Sequence, residues 1–571
     1  MVSIQRARRV FFRARLVALS EHLPHLRGAW FTAAVVALLA ASIFSTASAT
    51  PRLERQGSTM RLIVNDQPML VLGGELGNSS ASSAAYMAPY WPKLKQMNVN
   101  TVLAPVSWEL IEPVEGRFVW TSLDQLLRDA RAHDMKLVLL WFGAWKNSMS
   151  TYVPSWVKRD QARFPRVQLP NGQSTDILSA FSIATRDADA RAFAALLNRI
   201  KEVDSKQSTV VMVQVENEIG MLPVAREYGA EANRLFAERV PAELMSHLDA
   251  SRANRTGLHE LWAEQGGKRE GTWVEVFGEG DAAAEAFTAW HYSRFVEALV
   301  VAGKAAYPLP MFVNAALNRM NKAPGEYPSG GPLPHLLDVW KAGAPSLDLL
   351  APDIYFPNFV DLAARFRRAD NALFIPEANN ADKPEVPANA FYAFGKLDAI
   401  GFSPFSIESI ADRKPNPLAD AYAVLRQLSP AILSAQGLAR MSGFKPRILE
   451  DQTVLDMPVT EDIGGYRFTV SFIDPWMPEA QQSTATHGGL IIQTGPEDYL
   501  IAGQGIVVTA RPIGPGPPLA GIDQAWEGTF DSQGRWLPGR LLNGDQTHQG
   551  RHVRLAPGNF QIQQVRFYRY R

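Results

Sequence analysis

The 571-residue chain contains no cysteine. Disulfides, thiolate metal sites and cysteine nucleophiles are therefore excluded. Its ten histidines are scattered. Neither H-E-x-x-H nor H-x-x-E-H occurs, so no metal site is expected. A G-x-S-x-G elbow and a phosphate-cradling P-loop are missing too, and nothing points to a cofactor. Low-complexity tracts are absent, and Gly-rich pieces such as 514–518 (GPGPP) read as turns.

Net charge is also lacking, with 57 Lys+Arg against 57 Asp+Glu. Six of those arginines, Arg6, Arg8, Arg9, Arg13, Arg15 and Arg27, crowd the first stretch of the chain. An apolar run at 30–44 follows, and Ala47-Ser48-Ala49 has the small-residue pattern of a cleavage site. The run is short for a spanning helix. Residues 1–49 read as an export signal, with an uncleaved anchor as the alternative. The product is expected in the periplasm or outside the cell, with membrane contact only through that signal. Without residues 1–49, which hold those six arginines and one glutamate, 51 basic and 56 acidic residues remain, a net charge of −5. That argues against a nucleic-acid partner.

What is present is a run of short apolar segments alternating with helical patterns. Strands are predicted at 68–73, 99–106, 136–141, 210–220, 310–315, 347–351, 371–376 and 400–405. Helices are predicted at 90–98, 123–133, 187–203, 282–303 and 420–433, with an insertion at 226–280. Eight such units over residues 60–440 make the repeat of an α/β fold, a (β/α)8 TIM barrel with insertions. After Met441 the helical period vanishes. Short strands at 466–472, 489–493, 499–502, 505–509, 553–555 and 561–568 predict a small all-β sandwich over 441–571.

The stretch 210–220 is the most informative. Its apolar run suits a strand buried on both faces, yet it ends in Glu216, Asn217 and Glu218. Polar groups there need a cavity or a partner, and the carboxyl ends of barrel strands are where active sites lie. Glu377 ends the seventh strand. Two carboxyl groups facing each other across a barrel mouth suit glycosidic hydrolysis, one protonating the leaving oxygen and the other attacking the anomeric carbon. Asn217 can hydrogen-bond a sugar hydroxyl next to the reacting carbon. Tyr355, after strand six, can hold Glu377 ionised. Trp108, Trp141 and Trp145 end strands two and three and offer faces for sugar rings. For each of them, packing in the core or rim is the competing reading. Lys146 and Asn147 are their polar neighbours.

These residues resemble glycoside hydrolase family 35, over roughly 73–433. The segment VQVENEIG (213–220) carries the family's Glu-Asn-Glu ending, whose second glutamate, here Glu218, is the acid/base. The segments VSWELIEPVEGRF (106–118), GGELGNSS (73–80) and FIPEANN (374–380) resemble its loops after strands two, one and seven. The last of these places the nucleophile at Glu377. GGLIIQTGPEDYLIAGQG (488–505) looks like the C-terminal domain of a bacterial branch. The resemblance implies a β-galactosidase acting on a carbohydrate. It departs where the family grips galactose: WFGAWKN (141–147) replaces an Arg-Pro-Gly-Pro-Tyr loop, and the strand-one loop lacks His-Tyr. Glu75, Asn78, Trp145 and Asn147 are the candidates to fill those roles. A related glucosidase, fucosidase or arabinosidase stays open, as does a sugar-binding protein on a dead barrel.

Overall fold

The computed structural model describes residues 50–319 and 321–571. The export-signal reading, residues 1–49, lies outside them. Among the described residues no helix is long and apolar enough to cross a membrane.

Eight parallel strands run as expected: β1 Val71–Glu75, β2 Thr101–Ser107, β3 Lys136–Lys146, β4 Val210–Asn217, β5 Met311–Ala316, β6 Leu349–Asp353, β7 Phe374–Ile375 and β8 Gly401–Phe402. Their hydrogen-bonded order is β6-β5-β4-β3-β2-β1-β8-β7. A parallel bridge between Asp353 and Glu377 joins the two ends, and the Ile354 N–H donates to the Glu377 carbonyl at 2.8 Å. The sheet is therefore a closed TIM barrel, sealed at the mouth between the residues that end β6 and follow β7.

Alternation along the strands decides which side chains reach the interior. Val71, Leu103, Val138, Leu140, Phe142, Met212, Phe312, Ala351 and Phe374 form one inner cluster. Their neighbours Leu72, Val102, Leu139, Trp141, Val213, Val313 and Ile375 pack outward against the helices. Helix Thr121–Ala132 shows how the outer layer is held: Leu123, Leu126, Leu127 and Ala130 are its buried stripe, the spacing of an amphipathic helix. The predicted insertion carries short helices, among them Ala242–Ala250 and Gly257–Glu264.

Two features were not expected. A three-stranded antiparallel sheet, Arg52–Gln56, Thr59–Val64 and Gln67–Met69, precedes β1. Its Leu62 and Val64 join the inner cluster and plug the end of the barrel away from the mouth. Strand β3 also continues past Trp141 to Lys146 instead of breaking into a loop.

From Met441 the chain turns all-β. One sheet has six strands and the other four. Tyr466, Phe468, Ile491, Tyr499, Ile501, Val508, Val565 and Phe567 fill the core between them, a sandwich arrangement. The hairpin Leu519–Phe530 and Trp536–Leu542 was missed. Much of its face is exposed, so it lacks the apolar run that marked the other strands.

Candidate active site

Four carboxyl groups converge at the barrel mouth. Glu75 ends β1, Glu218 follows β4, Asp353 ends β6 and Glu377 follows β7. Carboxyl oxygens of Glu218, Asp353 and Glu377 lie within 4.8 Å of one another. Glu75, Asp353 and Glu377 are buried, and Glu218 is partly exposed. Strand alternation aims Glu75 inward beneath the others, because Val71 and Glu75 share a face. A side chain at Gly73, on that same face, would meet Ser403 Oγ at 2.1 Å. Glycine thus leaves room for the residues below Glu75.

The hydrogen bonds are distributed unevenly. The Tyr355 hydroxyl donates to Glu377 Oε2 at 2.5 Å, while Glu377 Oε1 is buried without a donor. Lys146 Nζ donates to Asn217 Oδ1 at 2.8 Å and to Asn147 Oδ1, which leaves the Asn217 amide Nδ2 without a partner. Asn314, on β5, accepts from the Glu218 backbone N–H at 3.0 Å and donates to Asp353 Oδ2 at 2.6 Å. Each such unpaired polar atom calls for an explanation, and at a barrel mouth a ligand that supplies the missing partner is one.

Electrostatics follow from burial and crowding. Burial, then the charge of Glu377, pushes Glu218 up to about 7, against the pull of Lys146 and a hydrogen bond with Asp353. Burial, then the Glu377 charge, holds both Asp353 and Glu75 well above the ordinary carboxylate range. Lys146 is the cation acting on all three. Converging carboxylates are also what a cation would take. Here donors from Tyr355 and Asn314 already occupy an oxygen on Glu377 and on Asp353.

The end of β4 is shaped by an irregularity. Trp141 pairs with Val215 and Lys146 with Asn217, so β3 spends five steps where β4 spends two. The bulge clasps β4 through Asn147 N–H to the Asn217 carbonyl at 3.2 Å and Ser148 N–H to the Glu218 carbonyl at 3.1 Å. Glu216 has φ 60° and Glu218 has φ 46°, conformations that break the strand's alternation. Glu216 thereby turns away from the mouth. It accepts the Ala144 and Trp145 N–H groups at 3.2 and 2.7 Å and shares a hydrogen bond with Asp189.

The structure thus brings Glu75, Asn217 and Tyr355 beside Glu218 and Glu377, and Asn147 onto the exposed rim next to Asn217. It turns the three tryptophans elsewhere. Trp141 lies outward in the β3 alternation, donating to Asp189 at 2.8 Å and packing on Phe193. Trp145 packs on Tyr292 and Phe295 of helix Asp281–Ala306. Trp108 donates to Glu112 at 2.9 Å and meets Trp156 edge-on. All three are fully buried packing residues, which corrects their assignment to the sugar. Asn78 lines a cavity of about 210 Å³ that includes none of the four carboxyl residues. The sequence reading missed Asp353 and Asn314. Asp353 ends β6 as Glu218 follows β4, so the same strand-end rule would have found it.

A family model for glycoside hydrolase family 42, described as beta-galactosidase, matches residues 87–268. That stretch holds Glu218 and stops before Asp353 and Glu377. A model for a domain of unknown function, DUF5597, matches residues 418–554. No curated protein matches the chain. Among solved structures, the beta-galactosidase of Marinomonas ef1 is 13% identical, with 64% of this chain and 60% of that chain covered and a TM-score of 0.43. The beta-galactosidase of Bacillus circulans sp. alkalophilus is 14% identical, with 64% and 57% covered and a TM-score of 0.43. The beta-amylase catalytic domain of Paenibacillus polymyxa is 11% identical, with 62% and 98% covered and a TM-score of 0.44. The chain spans less than two thirds of both beta-galactosidases. The matched model is of family 42, whereas the motifs resemble family 35. What the match supports is the coarser assignment, a β-galactosidase-like glycosidase.

Proposed function

We propose that this chain is a retaining glycoside hydrolase that releases terminal, non-reducing β-D-galactosyl residues from oligosaccharides or glycans. The observation that carries the reading is the pair Glu218 and Glu377, with carboxyl oxygens within 4.8 Å and one oxygen of Glu377 left without a donor. Retaining enzymes hold their two carboxyl groups about 5–5.5 Å apart, and inverting enzymes about 6.5–9.5 Å.

In this reading Glu377 Oε1 attacks the anomeric carbon while Tyr355 holds Oε2. Glu218 gives its proton to the leaving oxygen as the glycosidic bond breaks. Water then donates a proton to the Glu218 carboxylate and its oxygen displaces Glu377 from the sugar. Asn217 Nδ2, buried without a partner, and the Glu75 carboxyl, which shares a hydrogen bond with Glu377, supply hydrogen bonds to sugar hydroxyls. Galactose is chosen on the description of the matched family model and on the family resemblance of the motifs. A site that pairs the axial 4-hydroxyl with buried polar groups rejects the epimer, which leaves them unsatisfied. Export is part of the proposal, on the strength of residues 1–49.

The test is a 2-deoxy-2-fluoro-β-galactoside with an activated leaving group, followed by peptide mass mapping. Mass added at Glu377 is expected, and no covalent adduct sinks the retaining assignment. A panel of nitrophenyl β-galactoside, glucoside, fucoside, xyloside and α-arabinofuranoside then reads the glycone. Another sugar preferred by more than about tenfold in kcat/KM, roughly 1.4 kcal/mol, overturns galactose and leaves the mechanism standing.

A further inference from the structure

Glu218 has a second carboxyl group at its side that the two-glutamate mechanism does not use. Asp353 is buried, at 2% exposure, and its oxygens lie within 4.8 Å of those of Glu218 and Glu377. Two ionised carboxylates are acceptors only, so their oxygens repel at close range unless one carries a proton. Asn314 decides where that proton sits. Its Oδ1 accepts the Glu218 backbone N–H, which fixes the orientation of the amide, and its Nδ2 therefore donates to Asp353 Oδ2. The proton belongs on the other oxygen, Oδ1, which is buried and has no donor from the protein.

We propose that Asp353 is a positioning residue: a neutral carboxylic acid, oriented by Asn314, whose Oδ1–H hydrogen-bonds the Glu218 carboxyl and stabilises it as a carboxylate once its proton has gone to the leaving group. This rests on the reading of Glu218 as acid/base. During the first half-reaction the Glu218 proton moves to the glycosidic oxygen, whose bond to carbon breaks with the electron pair on oxygen. The Asp353 proton stays on Asp353 and its hydrogen bond shortens onto the new charge. In the second half-reaction Glu218 recovers a proton from water. The groups facing Asp353 agree with a neutral acid. Glu75 from β1, Glu218 from β4 and Glu377 after β7 all crowd it with negative charge, against the opposing pull of Lys146 from β3. Tyr355 donates to Glu377 and not to Asp353.

Two substitutions separate this from a merely structural role. Asp353→Asn reproduces a neutral group that accepts from Asn314 and donates to Glu218. It should lower kcat by less than about tenfold and leave the basic limb of the kcat/KM profile in place. Asp353→Ala removes the donor, so Glu218 holds its proton more tightly. The basic limb should move up by about one pH unit, the size of one hydrogen bond to a charged group, and slow-leaving substrates should suffer most. A basic limb that falls in Asp353→Asn shows that Asp353 was ionised and overturns the proposal, as does an unmoved limb in Asp353→Ala. If Asp353→Ala does not fold, infrared difference spectra of the wild-type protein against Asp353→Asn at neutral pH decide. Loss of a protonated-carboxyl carbonyl band supports the proposal, and no loss overturns it. Fluorosugar labelling of Glu377 in each variant keeps the two readings apart: unlabelled wild-type protein sinks the glycosidase, whereas labelled variants with the wrong limbs sink only the role of Asp353.

Discussion

Two glutamates at the end of β4, Glu216 and Glu218, stand on opposite sides of the barrel wall, each beside an aspartate. Behind the wall every oxygen of the Glu216–Asp189 pair is used. Glu216 takes the Ala144 and Trp145 N–H groups, and Asp189 takes the Trp141 indole and the Ala144 N–H. At the mouth, Asp353 Oδ1, Glu377 Oε1 and both Glu75 oxygens have no donor outside the carboxyl cluster, and Asn217 Nδ2 has no acceptor. Both pairs are pushed toward the protonated state. Chemical type and proton affinity therefore do not separate a working carboxyl from a structural one. What differs between the two pairs is how far their oxygens are supplied with donors.

The comparison breaks if the two sides respond alike. Glu218→Ala should lower kcat/KM on unactivated β-galactosides by about 10²–10⁴-fold, the range for a lost general acid. It should spare the first step on aryl glycosides with good leaving groups, and azide should restore release. Its unfolding midpoint in urea should stay close to that of the wild type. Glu216→Ala should do the reverse. It takes the hydrogen-bonding partner from the Asp189 carboxyl and strands the Trp145 N–H in the interior, at about 3–5 kcal/mol, read from urea unfolding, while the folded fraction keeps kcat within about tenfold by analogy with substitutions outside the reacting groups. A Glu216→Ala protein of full stability with no activity would erase the distinction.

A smaller effect is expected at Gly143, where a Cβ would stand 2.4 Å from the Trp141 indole nitrogen and 2.7 Å from Glu216 Oε1. Gly143→Ala should cost about 1–3 kcal/mol through overpacking, again measured in urea, and an unchanged midpoint would show that the outer pair has slack. The smallest effect is a slope. Burial holds Asp189 up at about 6, and Glu216 lies well above its ordinary range. Carboxyls raised in the folded state keep protons that the unfolded chain releases. The stability they contribute is full below their unfolded values and is lost as pH climbs through the folded ones. The wild-type Tm should thus decline from about pH 4 through 6 and beyond, and Glu216→Gln, which needs no proton, should flatten that decline. The mouth has its own counterpart in activity: Glu218 works as an acid only while protonated, so kcat/KM should fall as pH rises through about 7. A flat profile across that pH would remove Glu218 from the proton transfer.

The barrel was legible because each strand is apolar on both faces and ends in a break. That same double-sided apolarity hid the alternation. In KLVLLW nothing shows that Trp141 looks out and Leu140 in, so the tryptophans were assigned to the wrong side of the wall. Glu218 and Glu377 were found because they stand at strand ends. Asp353 and Asn314 obey the same rule, but a lone polar residue within or closing an apolar run reads as the end of burial. The bulge in β3 was hidden for a different reason. Its length is set by the pairing of Lys146 with Asn217, a long-range register that no local pattern encodes. The strands around the plug and the hairpin 519–542 were missed because their residues alternate weakly or face solvent.

Four carboxyl groups and one lysine in a buried mouth also act as a filter on what enters. A glycone bearing a carboxylate or a sulfate would add negative charge where burial and the charge of Glu377 already push Glu75 and Asp353 toward the protonated state, while Lys146 already donates to Asn217 and Asn147. Under the proposed function, uronic acids and sulfated sugars should be poorer substrates than neutral hexoses. The same field favours the opposite intruder. A basic iminosugar would bring the missing positive charge, so its inhibition should strengthen as the cluster loses its protons.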